Sequence, residues 1–473
     1  MYEMVLFANT LIWLALVGHF LTLRFASSFH PAAYYLFFHG LVFTFRPIIV
    51  EFNKYDSIYI NADFFPSDSD KLTVIYASIL GLLSFYSFCV KFGNENLVFK
   101  YDAAVSSERK SIILPCLIVL VFILPLAVAS ALDNWDSRAQ DTSTMVFDHA
   151  TGVNFNTTRS GYWSDFQLLL GPLSVITVWI FRFRWWSFLP LVGFVVLRAG
   201  TGGRWPFLMT CASVGLLFLY ERRKRLPKFK ELVLPLAALL LFQSVGEDRG
   251  AAIRSIFIED RSIQGIVTPN EQGFLEGMDF ANLEYFEFLV YVVPQRTGSY
   301  NYFIDNLQIL TEPIPRIWWE DKPLGPPIKF FQLWEYGRPI GMTYSLPGYG
   351  WMQLGYLGVA IWCAFFGWIY GKIYNWFQKS NQSNFKIISY MLMLPLSLQV
   401  FRDGLLLTMV KTHTWFLFPI VMIYGFARLS AVPLADEVRL LAYRRAARRR
   451  PDIAAKILAR QRGAKRSVLG RNG

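Results

Sequence analysis

The chain has 473 residues, of which 54% are hydrophobic, 17% aromatic and 17% charged, with a formal net charge of +12. A soluble domain carries about 25% charged residues, so this composition excludes an ordinary soluble enzyme. The positive excess does not point to nucleic acid: residues 439–473 hold 12 Lys/Arg against Asp452 alone, nearly all of it, and the rest of the chain is close to neutral.

Apolar runs long enough to cross a bilayer recur from end to end. Taken in chain order they fall at 4–23, 29–50, 72–92, 111–132, 164–181, 185–200, 204–220, 232–246, 347–374, 386–402 and 412–430. The expected fold class is therefore an all-α integral membrane protein with about 11 transmembrane helices, ten to twelve once uncertain ends are allowed for. The N-terminal run has no basic flank and no small-residue cleavage site, which reads as a retained first span. Four regions follow: an N-terminal bundle of about eight spans at 1–246, a large loop at 247–346, about three spans at 347–430, and a basic tail at 431–473.

The short connections set the orientation. The basic run Glu221-Arg222-Arg223-Lys224-Arg225 and the tail share a sign, and counting outward places Arg24, Lys91 to Lys110, Arg182 to Arg184 and Lys372 to Lys386 on the same side. By the positive-inside rule that side is cytoplasmic, giving an N-terminus out, a C-terminus in, and a tail suited to anionic headgroups. The outer pieces are an acidic loop at 51–71, a polar loop at 133–163 and the large loop, where 14 Asp/Glu face 8 Lys/Arg over 247–345. In that loop Glu276 to Val293 and Tyr300 to Leu310 show helical apolar spacing. They read either as amphipathic helices at the interface, forming a lid, or as the core of a small extracytoplasmic domain.

Cys89, Cys116, Cys211 and Cys363 all lie in apolar runs without metal-ligand spacing or a paired framework, so neither disulfides nor zinc are expected. There is no phosphate-binding GxxxxGK[ST] loop, no HExxH, no nucleophile elbow and no carboxylate cluster at metal-binding spacing. What stands out is arginine on the outer face. In Arg198-Ala199-Gly200-Thr201-Gly202-Gly203-Arg204-Trp205-Pro206 the glycines expose amides just before a helix N-terminus, a seat for phosphate or simply a tight turn with a snorkelling arginine. Arg402 with Asp403 reads as an anion contact or a local ion pair, and Arg249 opens the large loop between acidic neighbours. In the stretch from Glu312 to Pro323, prolines stiffen the chain, Trp318 and Trp319 can stack on sugar or lie among headgroups, and Arg316 and Lys322 offer a fork and a point charge; the alternative is an interfacial turn. Glu320, Asp321, Glu335 and His413 are candidates for a general base.

Pro315-Arg316-x-x-Trp319-x-x-Lys322-Pro323, followed by Ser345 and the glycines Gly350, Gly355 and Gly358, resembles the hallmark region of the Wzy-type bacterial O-antigen and exopolysaccharide polymerases. The Gly-Gly-Arg corner at Arg204 and Arg402-Asp403-Gly404 resemble arginine positions in that family, and the likeness covers most of the chain except the tail. The resemblance implies a multispan GT-C-type glycosyltransferase of the bacterial inner membrane that joins polyprenyl-diphosphate-linked repeat units without cofactor or metal. On that basis Arg204, Arg249, Arg316, Arg402 and Lys322 would act on the diphosphate, and Trp318, Trp319, Trp334, Tyr336, Arg338 and Ser345 would line the sugar site. The implied partners are lipid-linked oligosaccharide, membrane lipids, a chain-length regulator and a repeat-unit flippase, with no nucleic acid. An O-antigen ligase and a transporter of lipid-linked sugars are the rival readings. One departure is clear: many members carry a glutamate where Tyr349 stands here, which leaves a catalytic carboxylate unassigned.

Overall fold

The computed structural model describes residues 1–99, 102–139, 145–148, 153–156, 161–199, 205–228, 281–315, 318–319, 321–323, 325–339, 342–379 and 382–449. The fold is almost wholly helical. Helices α1 (Tyr2–Thr22), α2 (Pro31–Asn53), α3 (Ser57–Ala62), α4 (Asp68–Phe92), α5 (Ala103–Ser111) and α6 (Ile113–Ala139) come first. A short antiparallel pair, Met145–Asp148 with Val153–Asn156, lies in the following loop. Then come α7 (Tyr162–Ile180), α8 (Leu189–Ala199), α9 (Trp205–Glu221), α10 (Asn282–Val292), α11 (Leu346–Lys379), α12 (Asn384–Asp403), α13 (Leu406–Leu429) and α14 (Ala435–Arg449).

Among the described residues, eight helices are long and apolar enough to cross a membrane: α1, α2, α4, α6, α7, α11, α12 and α13. The expected spans at 185–200 and 204–220 appear as shorter apolar helices, and the one expected at 232–246 lies outside the described residues. Local chemistry sets the boundaries. Ser67 and Asp70 cap α4 reciprocally, Ser383 accepts the Lys386 N–H at the start of α12, and α12 ends on Gly404 at φ 73°, where a side chain would be strained.

Two apolar cores fill the bundle. One lies among α1, α2, α4, α10 and the first half of α11; the other lies among α6 to α9, α12 and α13. Helices α11 and α12 join them, since Phe366 and Phe401 pack in the first core while Phe377 and Tyr390 stack at 4.2 Å in the second.

Two expectations change here. The run 347–374 is not one straight helix. Gly355 takes φ 59°, and a Cβ on Gly350 would come within 2.7 Å of the Cα of Val359. Nine residues of straight helix rise about 13.5 Å, so the chain must fold back at Leu354–Gly355. A short limb from Leu346 to Gln353 thus lies against the long limb that follows. Nor is the described part of the Glu276 to Val293 stretch, from residue 281 on, an amphipathic lid: in α10 every residue from Asn282 to Val292 is buried except Tyr291, which is half-buried, and the helix belongs to the first core. Its Glu284 is neutralised by Arg46 in the apolar helix α2. The second stretch forms a 3-10 turn, Ile304–Leu307, and one helical turn, Gln308–Thr311, rather than an amphipathic helix.

The basic connections meet at one end of the bundle. Ser28 N–H donates to the Arg225 carbonyl (2.9 Å), Lys379 pairs with Glu95 (3.4 Å), Arg182 donates to Ser106 (3.1 Å), and Arg439 pairs with Asp102 (2.9 Å). The acidic 51–71 segment, the described part of the large loop and Arg402 meet at the other end, where the Arg338 N–H donates to the Ala62 carbonyl and the Ser345 N–H to the Arg402 carbonyl, a full length of α12 from Asn384.

Candidate active site opposite the basic loops

The Arg402–Gly404 corner is fastened by three separate elements. The Ser345 N–H donates to the Arg402 carbonyl (2.8 Å), the Asn282 side chain donates to the same carbonyl (2.9 Å), and Trp362 Nε1 donates to the Gly404 carbonyl (2.8 Å). With its backbone pinned, Arg402 directs its guanidinium over the ring of Trp205, 4.8 Å from the centroid, at the start of α9. Arg402 and Asp403 form no salt bridge, although the guanidinium charge still acts on the Asp403 carboxyl. Arg402 makes no salt bridge among the described residues, its Nε is buried there without a hydrogen-bond partner, and Asp403 instead accepts from Thr408 (3.4 Å). A guanidinium held by an indole keeps its charge and its planar donor fork available to an anion.

Next to this corner stands a carboxylate that the sequence reading passed over. Asp305 accepts from the Tyr349 hydroxyl (2.6 Å) and from Gln353 Nε2 (3.3 Å), both on the short limb of α11. Burial pushes its pKa up to about 6, although both hydrogen bonds hold it down. Tyr344 packs edge-on to Tyr349 at 5.9 Å and to Tyr285 at 5.1 Å, which walls off one side.

Deeper in the first core, Arg46 Nε donates to both oxygens of Glu284 at 2.9 Å, with the two side chains 1% and 2% exposed. One turn on, Glu287 accepts from Tyr59 (2.6 Å). Burial first, and the neighbouring Glu284 charge second, push Glu287 up to about 8, so it holds its proton at neutral pH.

The remaining candidates form a rim. Trp334, Tyr336 and Arg338 line one shallow cleft with Asp63, Glu335 and Gly337, and the Arg338 N–H donates to the Ala62 carbonyl (2.7 Å). Trp318 is 80% exposed and Trp319 half-buried. Lys322 Nζ donates to the carbonyls of Glu312 (3.0 Å) and Ile314 (3.1 Å), bracing a loop that Tyr162 anchors through Pro313 (2.6 Å). Ser345 is buried at φ 64°, and its hydroxyl caps the short limb by accepting the Gly348 N–H (3.2 Å). His413 is buried against Tyr370 inside the bundle, whereas Asp321 and Glu335 are exposed. Arg204, Arg249, Arg316 and Glu320 lie outside the described residues.

The structure thus joins Arg402 to Ser345 through backbone, places Trp205 beneath the guanidinium, and groups Trp334, Tyr336 and Arg338 in a separate cleft. Asn282, Glu284, Glu287, Asp305 and Tyr349 were missed as site residues. A readable signal existed for two of them: Glu284 and Glu287 sit three apart in an apolar helical run with no Lys or Arg within four positions. Compared with known proteins, the chain matches no protein-family model, no curated protein and no solved structure.

Proposed function

We propose that the protein is a membrane-embedded glycosyltransferase that joins polyprenyl-diphosphate-linked oligosaccharide repeat units, working at the end of the bundle opposite its basic loops. The observation that carries this reading is Arg402, a guanidinium fixed at a helix end over Trp205, with an unpartnered Nε and no salt bridge among the described residues, its neighbour Asp403 being the carboxylate whose charge acts on it. When the bond between sugar and diphosphate breaks, negative charge grows on the departing phosphate, and preorganised cationic donors stabilise it without a covalent nucleophile. Arg204, Arg249 and Arg316 are further donors in this proposal, and the Trp334–Arg338 cleft with Trp318 and Trp319 supplies stacking surfaces for sugar. The positive-inside rule supports a cytoplasmic position for the basic loops, and on this reading the chemistry faces the periplasm of a bacterial inner membrane.

Purified protein in liposomes, given lipid-linked repeat units alone, should produce a ladder of polymer lengths. A ligase would need a separate lipid acceptor before any product formed, and a transporter would move substrate between leaflets without making a glycosidic bond. Either of those outcomes rejects the polymerase.

A further inference from the structure

Asp305 has the placement of a working group rather than of a structural anchor. It is half-buried on the turn Ile304–Leu307 and forms no ion pair among the described residues. Tyr349 and Gln353 each occupy one of its oxygens. The Phe303 N–H donates to Gln353 Oε1, which fixes the amide with its NH₂ toward the carboxylate. The backbone N–H groups of Asp305 and Asn306 act on the same carboxylate, so a substrate hydroxyl would reach an oxygen already in use, where the residue stays half-exposed.

The link to Arg402 runs through one side chain. A Cβ built on Gly404 would lie 2.9 Å from the Cβ of Tyr349, whose ring is 5.1 Å from Trp362, the residue that holds the Gly404 carbonyl. Asp305 therefore stands one tyrosine's length from the Arg402–Gly404 corner, at the same end of the bundle. The titratable groups facing it are Tyr349 and, behind that ring, Tyr344.

Building on the glycosyl-transfer reading, we infer that Asp305 is the base that takes the proton of the acceptor sugar's hydroxyl, with Tyr349 as its positioning residue. As that hydroxyl oxygen bonds to the donor's anomeric carbon, its proton passes to Asp305. The carbon–oxygen bond to the diphosphate breaks, and the electron pair departs with the lipid diphosphate, where Arg402 receives the charge. Asp305 then returns the proton to water. A carboxylate raised to about 6 by burial is well matched to this task at neutral pH.

The test measures polymer formation from lipid-linked repeat units between about pH 5 and about pH 9, with donor binding measured alongside, for the unaltered protein and for Asp305→Asn, Asp305→Glu and Tyr349→Phe. In the unaltered protein the rate should fall on the acid side with a midpoint at about 6. Asp305→Asn should lose roughly 10²- to 10⁴-fold in rate while binding donor as before. Asp305→Glu should restore part of the rate. In Tyr349→Phe the acid limb should move to higher pH, because the lost hydroxyl had stabilised the charged carboxylate. If Asp305→Asn fails to fold, Asp305→Glu and Tyr349→Phe decide: an acid limb unmoved in both overturns the assignment. An Asp305→Asn protein that keeps its rate and acid limb overturns it too and leaves the glycosyl-transfer reading standing. An unaltered protein that makes no polymer takes both down.

Discussion

Among the described residues two arginines sit on tryptophan rings, one at each end of the bundle, and they are used in opposite ways. Arg109, at the basic end, lies 4.2 Å from the Trp179 ring centroid, gives its Nε to the Trp179 carbonyl (2.8 Å) and pairs with Glu221 (3.2 Å). Its neighbour Glu108 accepts from Asn384 (2.7 Å) and Ala435 (3.1 Å). These contacts tie α5 to α7, α9, α12 and α14. Arg402 has the same aromatic seat at 4.8 Å but no salt bridge and an unpartnered Nε among the described residues, with only the charge of the adjacent Asp403 acting on it. Burying a charge is costly unless it is paired, so the fully partnered arginine is explained by architecture. The under-partnered one is left with donors for something else.

The comparison can be broken at its structural side first. Arg46 and Glu284 form a pair as closed as any at the basic end, with the carboxylate only 2% exposed. Arg46→Ala should cost about 3–5 kcal/mol, because it strands a buried charge. The double variant Arg46→Leu/Glu284→Leu should recover most of that in thermal unfolding. A single variant as stable as the unaltered protein would mean that α10 is not locked into the core as described.

A smaller effect sharpens the contrast. Glu287 keeps its proton up to about pH 8 in the fold, against an ordinary value of 4.5. As pH rises between those values the unfolded chain gives up this proton and the folded one keeps it, so this group makes stability fall with rising pH. Glu287→Gln should remove that slope: between pH values just above 4.5 and near 8, its melting temperature should drop by several degrees less than that of the unaltered protein. Equal drops would place Glu287 in a wetter setting than the core.

Much of the architecture can be read from residues in order. Eight of the eleven expected spans were legible because apolar runs of bilayer length end at caps such as Ser67 and Gly404, and the contacts Ser28–Arg225 and Arg439–Asp102 draw basic connections together, as their like charge suggests. Pairings across the chain were not legible. Nothing near Glu284 reveals that Arg46, 238 positions earlier, will neutralise it and let a helix with two acids sink into the core. The fold-back at Gly355 escaped for a related reason: the glycines at 350, 355 and 358 were visible, but hydropathy does not distinguish one long helix from two limbs in contact. At Arg402 the sequence left two readings open, and order along the chain did not show that Asp403 would accept from Thr408 while feeling the Arg402 charge without a salt bridge. Asp305, a lone carboxylate in an acidic loop, carried no local mark; only Tyr349 and Gln353, more than 40 positions on, single it out.

The central claim is that one end of the bundle holds a lipid diphosphate and the other holds the bundle together. Equilibrium binding of polyprenyl diphosphate to the folded fraction of Arg402→Ala and of Arg109→Ala tests it most directly. Losing a charge-assisted contact worth about 1.5–3 kcal/mol, Arg402→Ala should bind roughly 10- to 100-fold more weakly with its melting temperature nearly unchanged, whereas Arg109→Ala should melt earlier yet bind as before. Undiminished binding in Arg402→Ala, or a loss confined to Arg109→Ala, would contradict the account.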